Sequence, residues 1–461
     1  MLTLGLAVVS ILFALTLMPA VWRRNQFHPA IFFLLFAIVD VFFPAIYWTL
    51  FGQVGNPDWL LPLRQEKILD AVTHYSAFLF IFIACLLGVD GGKSPRLDNS
   101  NLAVEAQARL GPVLWVLLAL TLAKIAVDVS SYGGPAPWFW SRLIFASVAD
   151  ADGAAIPGGG SLAALPAREL FQAAVGLAFF YRKQLDRPWL FGVLFPIIAM
   201  GLAMATFLRG AVLACAITLI FAEVIRQKTQ PRIQSNTKRS AGRVKFFAAA
   251  MIAIILSIYV YGSVRDSFRG LASSDEDTSA ELAVPTFLTA GHGLLGLSHI
   301  VAEYGQSVNF LWGQTYVDML LLPIPRSIYS SKPFWYGVDD ITRGMGWPES
   351  TQSAVTMPGE AFANFGLLGL LIAIPLGIAF GWLQRLVRSN PVRFLLLGPT
   401  VFFQIVAVAS WMSFTGIMNA VPSMALLFVL AAYIGKGRPK IRYTRLTTQT
   451  PIIAGEIEKI Q

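Results

Sequence analysis

AIFFLLFAIVDVFFPAIYWTLF, residues 30–51, carries one charged side chain, Asp40. A soluble helix of this length needs a polar face, and this stretch has none. About 20 apolar residues suffice to cross the hydrocarbon of a bilayer, so lipid is the solvent that suits it. Working outward, runs of the same kind recur at 2–21, 68–88, 110–130, 164–181, 188–208, 210–225, 246–263, 361–383, 394–412 and 419–434. The stretch from Pro188 to Ile225 is too long for one helix and is interrupted at Arg209–Gly210, which reads as a tight helical hairpin. The fold class expected is therefore all-α, a polytopic integral membrane protein with about 11 transmembrane helices (11–13). Composition agrees: 56% of the 461 residues are hydrophobic and 13% charged, where a soluble domain carries about 25% charged. The run Leu2–Val21 has no basic residue before it and no small-x-small site after it, so it reads as a retained helix and not a cleaved signal.

Orientation follows from the basic loops. With the Arg23–Arg24 connection cytoplasmic, 24 of the 35 Lys and Arg fall on that side, in 22–29, 89–109, 182–187, 226–245, 384–393 and the tail after Ile434. The stretch RQKTQPRIQSNTKRSAGRVK (226–245) is the densest of these. The positive-inside rule then puts the N-terminus outside and the C-terminus in the cytoplasm. Four regions result: a membrane domain of about eight spans (1–263), a large outer loop (264–359), three further spans (360–434) and a cytoplasmic tail (435–461). The net charge of +9 is that of a cytoplasmic rim facing anionic lipid. No soluble basic module exists to hold nucleic acid.

Other classes lack their signatures. The two cysteines, Cys85 and Cys215, lie in apolar runs, and His28, His74, His292 and His299 have no metal-ligand spacing. There is no phosphate-binding loop or dinucleotide fingerprint. No metal and no cofactor are expected.

Long loops in a compact membrane protein usually carry function. The outer loop has an acidic stretch, SSDEDTSAE (273–281), then apolar segments near 283–303 and 308–322 that suit amphipathic, interfacial or re-entrant helices. A second outer loop, 131–163, is rich in Gly, Pro and Trp and suits a lid or rim. Cations collect in the large loop at Arg265, Arg269, Arg326, Lys332 and Arg343, and Arg209 lies at the same face. Guanidinium groups match phosphate oxygens bidentately, so an anionic ligand is one reason for them; pairing with outer carboxylates or with outer-leaflet phosphates is the other. His299 and Glu303 are four residues apart, on one helical face, with His292 on roughly the same face. They form either a general-base pair or a polar stripe. Glu360 stands at the mouth of the span 361–383, as a catalytic carboxylate or a capping group. Within the membrane, Asp40, Lys124, Asp128 and Glu223 line a polar cavity or pair structurally.

The segment WGQTYVDMLLLPIPRSIYSSKP (312–333), followed by MPGEAFANFGLLGLLIAIPLG (357–377), resembles the bacterial oligosaccharide repeat-unit polymerases, the Wzy-type O-antigen and exopolysaccharide polymerases. The matching positions are Gly313, Tyr316, Pro323, Pro325–Arg326, Lys332–Pro333, Gly359–Glu360 and Asn364–Phe365–Gly366. FLRGA (207–211) and YGSVRDSFRG (261–270) look like the same family. The resemblance implies a GT-C-like, metal-independent glycosyltransferase on the periplasmic face of the bacterial inner membrane. Its donor and acceptor would be glycan repeat units on undecaprenyl diphosphate, with a chain-length regulator and a flippase as further partners. It implies Arg209, Arg265, Arg269 and Arg326 on the diphosphate, assisted by Lys332, and His299, Glu303 or Glu360 as base. Trp312, Trp335, Tyr316 and Asn364 would contact the glycan, with Trp138 and Trp140 as further stacking candidates. The family commonly has a dozen or more spans, which leaves room for a loop segment to enter the membrane. An O-antigen ligase would share the donor and the arginines and differ in its acceptor, lipid A core. A lipid-linked oligosaccharide flippase would show internal repeats and distributed intramembrane charge, and neither is evident here.

Overall fold

The computed structural model describes residues 1–24, 28–52, 63–90, 104–131, 167–182, 189–199, 215, 218–220, 222–223, 292–321, 328, 338–346, 355–410 and 421–435. Among the described residues the chain is all-helical, with one isolated bridge between Tyr304 and Val308. The helices used below are α1 (Leu2–Arg24), α2 (Pro29–Phe51), α3 (Gln65–Asp90), α4 (Val104–Ser131), α5 (Ala167–Tyr181), α6 (Leu190–Ala199) and α7 (His292–Glu303). They continue with α8 (Gln314–Leu321), α9 (Val338–Gly344), α10 (Met357–Phe365), α11 (Ala373–Arg388), α12 (Pro391–Ser410) and α13 (Val421–Gly435). Among the described residues, five helical stretches are by length and composition apolar enough to cross a membrane, counted through their 3-10 and π-helical turns: Leu2–Val21, Pro29–Phe51, Gln65–Val89, Arg109–Val127 and Met357–Arg388. Shorter apolar helices cover Leu170–Tyr181, Leu190–Ala199, Gly293–Glu303, Val392–Phe402 and Val421–Ile434. The architecture is that of a membrane-embedded helical protein. The expected span 246–263 lies outside the described residues, as does most of 210–225.

α3 forms the core of the bundle. Its buried positions, Ile68, Ala71, Val72, Tyr75, Phe78, Leu79, Phe82 and Leu86, recur at helical spacing. Phe33 of α2 stacks on Phe82 with centroids 5.1 Å apart, and Phe42 meets Tyr75 edge-on at 5.9 Å. Ser10 of α1 and Ser76 share a buried hydrogen bond of 3.1 Å.

α11 lies along α3 in the same direction. Its sequence there is GIAFG, Gly377 to Gly381. A Cβ on Gly377 would stand 2.6 Å from the Phe82 carbonyl oxygen, and one on Gly381 2.8 Å from that of Leu86. Small residues one turn apart let two backbones touch, which is how helices associate where lipid offers no hydrophobic drive. The opposite stripe of α11, Ile374, Ile378 and Trp382, is exposed and apolar, as a lipid-facing surface must be. Gly377→Leu is expected to destabilise the bundle by about 3 kcal/mol through overpacking. A lower midpoint in detergent thermal unfolding, with Ile378→Leu unchanged as the control, is the check.

Two irregularities shape the interior. The first is a π-helical turn in α2, Ile38–Phe42, followed by Pro44. Such turns insert a residue and redirect its side chain. Here it is Asp40, at the midpoint of α2, whose Oδ2 accepts from the Gly293 amide of α7 at 3.2 Å. A carboxylate at a helix N-terminus satisfies an amide that has no partner within its own helix. α7 is buried continuously from Gly293 to Val301. Of the two readings of the segment near 283–303, the interfacial one does not fit its described part: α7 packs against α2, α3 and α10 inside the bundle and presents no broad solvent face, while 283–291 lie outside the described residues.

The second irregularity is at Gly366. The apolar run 361–383 reads as one span, yet the helix stops at Phe365 and Gly366 adopts φ +58. A short 3-10 segment, Gly366–Ile372, follows. A Cβ on Gly369 would lie 2.3 Å from the Ala361 carbonyl oxygen. In a straight helix these residues would be about 12 Å apart. α10 and the 3-10 segment therefore lie back to back as a hairpin, and only α11 continues across the bundle.

α4, α5, α12 and α13 pack around this core. Glu223 is paired with Arg182, Oε2 to Nη2 3.0 Å, and the same guanidinium lies 4.0 Å over the Phe179 ring. Of the two sequence readings for Glu223, the structure supplies the structural pair. The side chains of Lys124 and Asp128 lie outside what is described.

Candidate functional site

α10 opens with Thr356, whose hydroxyl oxygen accepts from the Gly359 amide at 3.3 Å, and with Pro358 in its first turn. These are strong helix-start signals. Its first turn is pinned from α3: His74 Nε2 donates to the Pro358 carbonyl oxygen at 3.2 Å, and the His74 ring meets Phe362 edge-on at 5.0 Å. Along α10 every residue from Met357 to Asn364 is buried.

The other half of the site is the turn that leads into α8. The Leu311 amide donates to the Ala363 carbonyl oxygen at 3.0 Å, and the Trp312 amide to that of Asn364 at 2.9 Å. These bonds satisfy carbonyls left over at the end of α10. Trp312 then takes φ +49 and Gly313 φ +89. A bulky residue in the left-handed region is strained, and such strain persists only where the surroundings over-determine it. Asn364 is what does so here. Its Oδ1 accepts from the Gly313 amide at 2.9 Å. Its Nδ2 donates to Thr315 Oγ1 and to the Glu360 carbonyl oxygen, both at 2.8 Å. Thr315 Oγ1 in turn donates to Glu360 Oε1 at 2.8 Å. The chain of donors from Asn364 through Thr315 ends on the carboxylate, an order in which each bond polarises the next. Phe310 fills the space under the turn, against the bare backbone of Gly305 and Gly366 and edge-on to Trp312 at 6.2 Å.

The described part of the first segment that carries the resemblance, 312–321, is thus folded against the second, 357–377, and the candidate residues divide by environment. Asn364 is fully buried and each of its amide atoms is engaged, so it holds the turn and has no face left for a glycan. Tyr316 is half-buried with its ring parallel to Phe365, centroids 6.1 Å apart. Burial, with the charge of Glu360 second, pushes its phenol well above the ordinary value. Glu360 is fully buried and bonded to Thr315. His299 is buried on α7. Glu303 is only partly buried, and its carboxylate accepts from Ser307 in the turn that ends α7. Trp312 is exposed. Arg343 is exposed in the last turn of α9. Arg209, Arg265, Arg269, Arg326, Lys332 and Trp335, like Trp138 and Trp140, lie outside the described residues, and so does the side chain of His292.

Sequence reasoning missed three residues of this site. Thr315 links Asn364 to Glu360, and Gln314 Nε2 donates to Asp318 Oδ1 at 2.9 Å along one face of α8. The i,i+4 spacing of Gln314 and Asp318 was the signal available for that pair. Among the described residues no cluster of His, Cys, Asp and Glu is arranged to hold a metal ion. Compared with family models, with curated proteins and with solved structures, the chain finds no match in any of the three.

Proposed function

We propose that this chain is a glycosyltransferase of the periplasmic face of a bacterial inner membrane, polymerising oligosaccharide repeat units carried on undecaprenyl diphosphate. In this reading it crosses the membrane about 11 times, with the N-terminus outside and the basic loops in the cytoplasm. The observation that carries it is the packing of the turn at Trp312–Thr315 onto Gly359–Gly366, the two stretches that resemble the polymerases, through Asn364.

The reaction breaks the bond between the anomeric carbon of the growing chain and its diphosphate oxygen. The non-reducing-end hydroxyl of a new lipid-linked unit forms the new glycosidic bond, its proton passes to a base, and undecaprenyl diphosphate leaves. Arg209, Arg265, Arg269 and Arg326, with Lys332, stabilise the charge that develops on the diphosphate. Of His299, Glu303 and Glu360, Glu303 is the base this reading favours, because its side chain is the one not fully enclosed by protein.

The test is purified protein in detergent with a lipid-diphosphate-linked repeat unit from the same organism, and no added metal or nucleotide sugar. A ladder spaced by one repeat is expected, reduced about 100-fold or more in Arg326→Ala and Arg265→Ala. An authentic unit that stays monomeric beside an active control polymerase would overturn the reading. Transfer to lipid A core under the same conditions would make the chain a ligase.

A further inference from the structure

The exposed apolar stripe of α11 starts before that helix does. The 3-10 segment passes into α11 without a break, Ile372 and Ala373 both being right-handed helical. Leu368, Leu371, Ile374, Ile378 and Trp382 follow at steps of three and four residues, and all are exposed, as is Leu367. One turn beyond Trp382 stands Arg385, exposed and charged. An indole followed by a cation marks a membrane boundary, and one boundary fixes where the other must fall. At about 2.0 Å per residue in the 3-10 segment and about 1.5 Å in α11, Leu367 lies about 25 Å from Trp382 along the axis. Bilayer hydrocarbon is about 30 Å thick. The second boundary therefore falls within one turn of Leu367.

Beside Leu367 the structure holds the turn that leads into α8. The Trp312 amide donates to the Asn364 carbonyl oxygen at 2.9 Å, and Phe310 lies against Gly366 and edge-on to Trp312. Trp312 is 71% exposed and Val317 is exposed with it, among the uncharged polar side chains of Gln306, Ser307, Asn309 and Gln314. Among the described residues 304–319 no charged side chain is exposed. The mixture suits the headgroup layer, where an indole has one apolar side and one wet side. Hydrocarbon would strip water from the amides, and water would leave the indole and Val317 uncovered.

We infer that the Trp312–Val317 turn rests in the lipid headgroup layer, with the indole and Leu367 reaching the top of the hydrocarbon. The partner of this surface is lipid, because the surface adjoins the end of the lipid-facing stripe at the distance a bilayer requires. Trp312 is thereby withdrawn from the glycan contacts that the family resemblance implies. The inference rests on the membrane-embedded fold. Under the polymerase reading it also sets the Glu360–Thr315–Asn364 network at the depth where a lipid diphosphate carries its charge.

The experiment uses the full chain in phospholipid nanodiscs, labelled with 5-fluorotryptophan, with the Trp312 resonance assigned by its loss in Trp312→Phe. Three relaxation probes are compared: a soluble gadolinium chelate, a phospholipid with a nitroxide just below its headgroup, and one with the nitroxide at its chain terminus. The shallow nitroxide should broaden the Trp312 line about threefold or more beyond either of the others. Trp382, assigned in the same way, should respond alike from the opposite leaflet. A Trp312 line broadened chiefly by the chelate, as in a turn standing in water, overturns the inference. So does one broadened chiefly from the chain terminus. A line that none of the three reaches means that protein, such as a second copy of the chain, covers the turn, and overturns it too. The unaltered protein supplies a second readout. A phospholipid carrying a diazirine below its headgroup should label the peptide spanning 310–317 on illumination, and absence of that label counts against the inference. Neither readout involves turnover, so a failed repeat-unit ladder leaves this inference standing, and a failed depth measurement leaves the polymerase reading standing.

Discussion

Asn364→Ala should leave the helices in place and unfasten the turn that bears Trp312. Truncation strands the buried Gly313 amide and removes the donor to Thr315, while Trp312 keeps its strained φ. An unsatisfied buried amide costs about 1–3 kcal/mol, and the strain at Trp312 adds about 1 kcal/mol that nothing then offsets. The expected total is about 3 kcal/mol, concentrated locally. Hydrogen exchange at residues 311–315 should accelerate about 100-fold while α3 and α11 stay protected. Asn364→Asp is the sharper variant. It keeps the acceptor for Gly313 but replaces Nδ2, which donates both bonds, with one carboxylate oxygen facing Thr315 and the Glu360 carbonyl, and it sets a second acid near Glu360. If Asn364 acted only by its volume, Asp would rescue the protein; the network requires that Asp fail as badly as Ala.

The largest single-site effect on folding is expected at Gly369. One methyl group there would overlap the Ala361 carbonyl, which is backbone and has no rotamer to yield. Gly369→Ala should therefore open the hairpin between α10 and the 3-10 segment, at about 3 kcal/mol or more. Detergent-solubilised yield and thermal midpoint are the measurements. Gly88→Ala, where nothing lies within 4 Å, is the control and should behave as wild type. Equal midpoints for the two variants would mean that the hairpin is not as tight as described.

Hydropathy alone made the helices legible, because a run such as 30–51 has no other stable solvent. It could not reveal what stands beside each helix. Leu297 and Leu367 are equally apolar, yet the first is fully buried and the second is exposed. For the same reason the segment near 283–303 reads equally as an interfacial or a re-entrant helix, with nothing to show that Gly293 to Val301 is buried, and the break at Gly366 is hidden inside a continuous apolar run. A backbone reversal leaves no trace in composition when the turn residue is glycine and its neighbours are leucines. The site was legible in part. Glu360 stands out as a carboxylate at the mouth of a span, and Asn364 enters through the motif that resembles the polymerases. Asn364 was assigned to the ligand because sequence cannot distinguish an amide that faces a substrate from one that faces its own backbone. Thr315 and the Gln314–Asp318 pair went unnoticed because each is an unremarkable residue type whose meaning comes from its neighbours.

The seam between α3 and α11 joins residues about 295 positions apart in a chain of 461. At about 5–20 residues per second, the ribosome needs tens of seconds after finishing α3 before GIAFG emerges to cover it. Throughout that interval the groove at Phe82 and Leu86 has no native occupant. Nascent chains halted short of Gly377 should thus accumulate as loosely held helices, open to membrane chaperones and quality-control proteases, until the last fifth of the protein arrives and closes the bundle.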